Sequence, residues 1–393
     1  MTDQNQQNVQ TNRDVINMVN RIIATAVNEN VSDIHIEPNQ KGLVVRFRVD
    51  GLLKIVAEIP AAMVHPLTAR IKILSQMDTT GLPRPQEGNM KFAFEGQKQV
   101  DLRVSIFPTS YGECIVMRIL ESVKEFGDYQ KLGLTKEQSE LLGETIKKPY
   151  GLVLVTGPTG SGKSTTLFTL LDRLNDVGRS LVTLEDPVER KLDMVRQTQI
   201  DPDIGLTFAS GLRYLLRQDS DVIMVGEIRD PETAQIAVQA SITGQLVLAT
   251  IHTNNAAGSI IRLINMGIEP FLLTSALRLV TAQRLARRNC PNCAEEYTPS
   301  PELIAKAGAK PGETFRRSRG CEKCNNKGVI GRFGIHEVLP ITEKIEAAAY
   351  DNPSDDHIME IARSEGMVTL HDVAMEKARE GLISLEEVLR LTE

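Results

Sequence analysis

The chain has 393 residues, 41% of them hydrophobic and 24% charged, the balance of an ordinary globular protein long enough for two or three domains. This excludes disorder, collagen and a coiled coil as the main architecture. With 45 basic against 51 acidic side chains the net charge is −6, and the chain carries six Tyr, ten Phe and no Trp. Both facts argue against a bulk electrostatic or stacking grip on nucleic acid.

The start, MTDQNQQNVQTN, is polar, lacks the apolar stretch of a secretory signal and reads as a short flexible tail. No apolar run approaches the roughly 18 residues that cross a bilayer. The expectation is a cytoplasmic protein that meets a membrane only through a partner.

Val15, Met18, Val19, Ile22, Ile23 and Ala26 recur at helical spacing, predicting an amphipathic helix from about Asp14 to Asn28. Alternating strands follow over Ser32–Glu37, Leu43–Val49 and Leu52–Ile59, the last two joined by the turn Asp50-Gly51. A helix near Ala61–Met77 and strands near Val100–Ile106 and Cys114–Leu120 complete a first α+β domain. The segment Glu121–Leu134, with two glycines and weak periodicity, reads as a linker.

Beyond it the pattern becomes α/β. A helix over Lys136–Ile146 precedes the apolar strand Gly151–Thr156, and further apolar strands stand at Leu181–Leu184, Val222–Val225 and Leu246–Thr250. Continuous apolar strands alternating with helices predict a parallel sheet covered on both faces. The last fifty residues read as helical, with Gly381 as a helix stop and Ser384/Glu387 as a capping box.

The run Gly157-Pro158-Thr159-Gly160-Ser161-Gly162-Lys163-Ser164, with Thr165 beside it, matches GxxxxGK[ST] between an apolar strand and a helix over Lys163–Asn175. Glycines let successive backbone N–H groups turn around phosphate oxygens at the positive end of the helix. Lys163 supplies a point charge to the β- and γ-phosphates, and the Ser164 hydroxyl can coordinate Mg²⁺.

Such a loop does not by itself separate an ATPase from a kinase or a GTPase. Glu227 ends the buried strand Val222–Val225 two residues on, where a base could orient a water for attack on the γ-phosphate, although a lone strand-end Glu is more often a solvated group. Glu185, Asp186 and Glu189 follow another buried strand. They could hold Mg²⁺ through water or form a plain acidic turn. His252 follows the strand Leu246–Thr250 and is a candidate γ-phosphate sensor, against the common structural role of a lone His.

The phosphate loop, LEDPVE, RQDSDVIMVGEIRDPETAQIAVQASITG and VLATIHTN together resemble the secretion-ATPase family of type II secretion and type IV pilus assembly, the GspE/PulE/PilB group. SDIHIEP, RFRVDG and DLRVS…PTSYGE…MRIL extend the resemblance to nearly the whole chain from about Asn12. It implies a PAS-like N-terminal domain (1–124), a linker (125–134), a RecA-like P-loop ATPase core (135–285), a tetracysteine zinc module (286–335) and a C-terminal helical subdomain (336–393). It further implies a hexamer with nucleotide between the two domains, driving pilin or pseudopilin assembly on an inner-membrane platform protein, with ATP, Mg²⁺ and Zn²⁺ as cofactors.

By the same resemblance Lys163 and Ser164 serve phosphate and Mg²⁺, and Glu227 is the catalytic carboxylate. Glu185, Asp186 and Glu189 form an Asp box, and His252 a His box. Arg103 and Arg118 match arginines that reach the γ-phosphate. Read without the family, those two are ordinary exposed strand arginines. The sequence departs from the pattern at Thr243-Gly244-Gln245, where the family has TGH, and at Cys114, where it has Arg or Lys. It also starts without the extra N-terminal module of many members, as a naturally short or truncated member would.

Four of the five cysteines form the pairs Cys290/Cys293 and Cys321/Cys324. Two CxxC turns suit a tetrahedral structural zinc. The 27 residues between Cys293 and Cys321 exceed the usual gap and predict a helical insert. Cys114 reads as a half-buried strand residue. The competing reading is a DNA-translocating or DNA-binding RecA-like motor with a zinc ribbon; Arg284, Arg287 and Arg288 favour it, and the acidic net charge opposes it.

Overall fold

The computed structural model describes residues 2–93, 99–120 and 132–392, with side chains from residue 13 onward. The chain divides into two compact units, Met1–Val123 and Lys124–Glu393. The expected linker lies, through residue 131, outside the described residues.

In the first unit, helix α1 (Thr2–Asn28) is followed by strands β1 (Asp33–Asn39), β2 (Gly42–Val49) and β3 (Leu52–Pro60), helix α2 (Val64–Leu74), and strands β4 (Gln86–Phe92), β5 (Val100–Thr109) and β6 (Gly112–Leu120). The strands form one antiparallel sheet in the order β3-β2-β1-β6-β5-β4. The strands β1, β2, β5 and β6 alternate. Ile34, Ile36, Val45, Phe47, Leu102, Val104, Ile115 and Met117 point into one core, which Val19, Ile23 and Ala26 of α1 and Leu67 and Ile71 of α2 complete. The polar residues between them, Asp33, His35, Arg48, Arg103 and Arg118 among them, therefore take the opposite face, as a period of two requires.

Two expectations are corrected here. The polar start is helical from Thr2, not a tail; it holds no Gly or Pro to interrupt the helix. The strand β4, too polar to read as one, pairs at the sheet edge.

The second unit holds α3 (Lys136–Thr145), β7 (Gly151–Thr156), α4 (Lys163–Leu174), β8 (Leu181–Glu185), β9 (Val195–Gln199), α5 (Phe208–Leu215), β10 (Val222–Val225), α6 (Pro231–Ile242), β11 (Leu246–Ile251), α7 (Ala256–Asn265), α8 (Pro270–Ala276), β12 (Leu277–Asn289), β13 (Ala294–Tyr297), α9 (Pro301–Lys306), β14 (Phe315–Ser318), β15 (Val329–Pro340) and the helices α10 (Glu343–Asp351), α11 (Asp355–Ser364), α12 (Leu370–Arg379) and α13 (Leu385–Thr392). Seven strands make one sheet, β15-β12-β7-β11-β10-β8-β9, parallel except for β15.

Its central strands are buried at every position and mostly apolar because both faces are covered. Leu152, Leu154, Ile223, Val225 and Val247 enter one core, while Val153, Val155, Val222, Met224 and Leu248 enter the other. The edge strand β9, VRQTQ, lacks that signature and escapes a sequence reading. The capping box at α13 is half made. Ser384 Oγ accepts from the Glu387 N–H at 3.3 Å, but the Glu387 carboxylate accepts from the Arg287 N–H at 2.7 Å and pairs with Arg390.

Candidate functional site

Strand β7 delivers the chain into the phosphate loop, and helix α4 leaves it at Lys163. Gly157 has φ +146°, and a Cβ there would meet the Gln283 carbonyl at 2.5 Å. Gly162, the N-cap of α4, has φ +90°. Side chains would be strained at both, which is why the loop is glycine-rich. Ser164 and Thr165 are exposed on the first turn of α4. Lys163 Nζ donates to the carbonyls of Gly157 at 2.8 Å and Pro158 at 3.1 Å. Burial lowers the Lys163 pKa, Glu227 pulls it back up, and Arg284 pushes it down.

The loop is braced from the neighbouring strand β12 by Gln283, 2% exposed. Its Nε2 donates to the Ser161 carbonyl at 2.7 Å, and its Oε1 accepts from Thr166 Oγ1 at 2.7 Å. Nothing in the sequence marks this Gln, since its partners are more than a hundred residues away.

The strand order sets the next two residues beside the loop. Strand β11, which ends just before His252, lies between β7 and β10, and Glu227 follows β10. The Glu227 segment is fixed by the Gly226 N–H donating to Leu184 O at 2.8 Å and the Ile228 N–H donating to Thr250 O at 2.8 Å. Glu227 Oε1 lies 2.9 Å from His252 Nε2, and Glu227 Oε2 accepts from Arg229 Nε at 2.7 Å. Arg229 Nη1 reaches Asp186 Oδ2 at 3.5 Å. Asp186, Arg229, Glu227 and His252 are thus one connected cluster at the C-terminal ends of three parallel strands, where open α/β sheets bind ligands. Arg229 is a member the sequence reading passed over; its spacing of two from Glu227 was the available signal.

The other acids of the box behave differently. Glu185 is buried, and its Oε1 accepts from Thr183 Oγ1 at 2.5 Å and Gln197 Nε2 at 2.9 Å. Burial raises its pKa, against those two hydrogen bonds and one from the Glu189 N–H. Glu189 itself is exposed. Gln245 belongs to the opposite end of β11. Its carbonyl accepts from the Gly151 N–H at 3.1 Å, one six-residue strand away from His252. The departure from TGH therefore falls at the far edge of the sheet.

In the first unit Arg103 and Arg118 are cross-strand partners on one sheet face. Arg118 Nε donates to Asp33 Oδ1 at 2.9 Å, and Arg103 Nη2 to Glu87 Oε2 at 2.6 Å. Cys114 is half-buried in β6, and burial raises its thiol pKa.

The four paired cysteines converge, with all sulfurs within 4.8 Å of one another and Sγ–Sγ separations of 3.8, 3.9 and 3.8 Å for 290/321, 293/324 and 321/324. Tetrahedral zinc with Zn–S near 2.3 Å requires sulfurs about 3.8 Å apart. The donor set fits that ion. Cys324 Sγ also accepts from the N–H groups of Cys321 and Gly328, at 3.1 and 3.3 Å, which suits a thiolate. Between the two CxxC turns stand α9 and the β13–β14 pair, a larger insert than a helix alone.

Comparison with known proteins adds four findings. The family described as type II/IV secretion system protein matches residues 8–390. Type II secretion system protein E of Pseudomonas aeruginosa is 45% identical over 380 residues, covering 96% of this chain and 75% of that protein. The type IV pilus assembly ATPase PilB of Thermus thermophilus is 44% identical over 378 residues, covering 95% of this chain and 42% of that one. Among solved structures, the pilus retraction motor PilT with bound ADP superposes with a TM-score of 0.64 at 25% identity, over 95% of this chain and 96% of that one. Among the described residues, no helix is long and apolar enough to cross a membrane.

Proposed function

The chain belongs to the type II/IV secretion system protein family, and on that premise we propose that it hydrolyses ATP to drive a secretion or pilus-assembly machine. The observation that carries this reading is the Glu227–His252 pair, 2.9 Å apart, on strand ends beside the phosphate loop.

The residues present suit a magnesium-bound triphosphate. Loop N–H groups and the start of α4 would take the phosphates, Lys163 the β- and γ-phosphate charge, and the Ser164 and Thr165 hydroxyls the metal side. Magnesium, when bound, neutralises charge on the leaving phosphates. Glu227 orients a water and accepts its proton as the water oxygen bonds to the γ-phosphorus and the bond to the β–γ bridging oxygen breaks, giving ADP and phosphate. His252 and Arg229 fix the two oxygens of that carboxylate. Asp186 orients Arg229. Glu185 and Glu189 shape the turn behind it.

Arg103 and Arg118 are proposed to stabilise the γ-phosphate in the transition state. To do so they exchange Glu87 and Asp33 for phosphate oxygens. Arg103 and Glu87 are both exposed, at 37% and 61%, and a pair of that kind is worth about 0–1 kcal/mol, so that exchange costs little; Asp33, 10% exposed, still has Arg48 Nε at 3.8 Å when Arg118 leaves it. A PAS-like first domain, hexamer assembly, contact with an inner-membrane platform protein and a zinc-stabilised cysteine module complete the reading. The net charge of −6 opposes the DNA-motor alternative.

Purified protein is expected to release phosphate from Mg-ATP, and Lys163→Ala to abolish that release. Phosphate release that persists in the variant would contradict the reading.

A further inference from the structure

The turn His252–Asn255 is held from four sides. The Thr253 N–H donates to Thr156 Oγ1 at 2.8 Å, and Arg284 Nη2 donates to the Asn254 carbonyl at 2.7 Å. Asn255 Nδ2 donates to Asp355 Oδ2 at 3.0 Å, and the Ala256 N–H donates to Glu337 Oε1 at 2.8 Å. The first two anchors belong to β7 and β12, the strands flanking the phosphate loop. The other two belong to the C-terminal part of the chain.

Glu337 is 1% exposed. Its second oxygen accepts from the Leu370 N–H at 3.2 Å, so one carboxylate caps both α7 and α12. Two helix N-termini supply the donors and positive potential that make a buried carboxylate tolerable. Asp355 has one oxygen on Asn255, and the other is buried without a hydrogen-bond partner among the described residues. The side chain is thus committed to the turn.

We propose that Glu337 and Asp355 are positioning residues for His252. They tie the turn that carries it to helices α11 and α12, so the His252–Glu227 contact depends on how the C-terminal helices are held. This rests on the roles given above to His252 and Glu227, which neither acid touches.

The test uses the full chain and two substitutions. In Glu337→Gln one acceptor oxygen becomes an amide nitrogen that cannot accept the second N–H. Asp355→Ala acts at a partly exposed helix start, so the core stays closed should the first variant not fold. In each, kcat is expected to fall about ten-fold or more with KM for ATP nearly unchanged, and to fall less than about two-fold in a His252→Ala background, as coupled residues do. Amide exchange at Thr253–Ala256 rises while that of Leu246–Ile251 stays as it was.

Equal loss in both backgrounds, or lower melting temperature with unchanged kcat, would overturn the proposal. His252→Ala with normal turnover would sink the His252 assignment itself. Exchange then still decides the tie: unchanged exchange at Thr253–Ala256 in both variants overturns it.

Discussion

His252 Nε2 lies 2.9 Å from Glu227 Oε1, a contact between the ends of the neighbouring parallel strands β11 and β10. Because β11 also pairs with β7, the C-terminal ends of three adjacent strands, β7, β11 and β10, lead into the phosphate loop, His252 and Glu227 respectively. The Glu227 side chain is 19% exposed, with Arg229 on its second oxygen. A carboxylate held on both oxygens is preorganised for a water, since it has little rotamer freedom left to lose when substrate arrives.

The arginines of the first unit give a prediction that separates charge from folding. Arg103→Ala and Arg118→Ala are expected to reduce kcat about 10²-fold or more, in keeping with arginines that stabilise transferring phosphate. Glu87→Ala removes the exposed partner of Arg103 and is expected to leave kcat intact or raised. Steady-state turnover of the three variants checks this. Loss in Glu87→Ala equal to that in Arg103→Ala would mean that the ion pair itself, and not the free guanidinium, matters.

Buried His336 sets an acid limit on stability. Burial lowers its pKa to about 4, with its ring N–H donated to the Leu132 carbonyl at 2.8 Å. The unfolded chain takes up a proton near pH 6.5 and the folded chain does not until about pH 4, so the unfolded state binds more protons in that window. The His336 contribution to stability is therefore full above pH 6.5 and is lost as the pH drops toward 4, about 3 kcal/mol at 1.36 kcal/mol per pKa unit. Denaturant unfolding across this range in wild type and His336→Gln measures it. The variant keeps an N–H donor and is expected to lose most of the slope.

Metal analysis of purified protein is expected to find one zinc per chain. Removing it with a chelator, or substituting Cys290 by Ser, should lower the melting temperature and release the β13–β14 pair while ATP binding at Lys163 persists. Protein that carries no zinc after purification without chelator would refute the site.

Much of this was legible in the sequence, and the reasons differ by element. The phosphate loop could be read because its backbone needs Gly157 and Gly162 in conformations other residues avoid, followed at fixed spacing by Lys163 and Ser164. The central strands could be read because both faces are buried. The edge strands β4 and β9 could not, since QEGNMKF and VRQTQ are mostly polar and carry no apolar run. Gln283, Arg229 and Glu337 were missed for a different reason: their roles exist only in three dimensions. A buried Gln in a long strand looks like any other, and the capping of two helices by Glu337 joins residues 256, 337 and 370. The capping box at Ser384 was half right because Arg287 offered the Glu387 carboxylate a stronger use.

The most direct test of the central claim is Glu227→Gln, measured for both nucleotide binding and turnover. Gln fills the same space and keeps an oxygen toward His252, but it is no base. ATP affinity is expected to stay within a few-fold of wild type while kcat falls about 10²-fold or more, the usual weight of a general base. Near-normal turnover in that variant would remove Glu227 from the chemistry, and the account of the site with it.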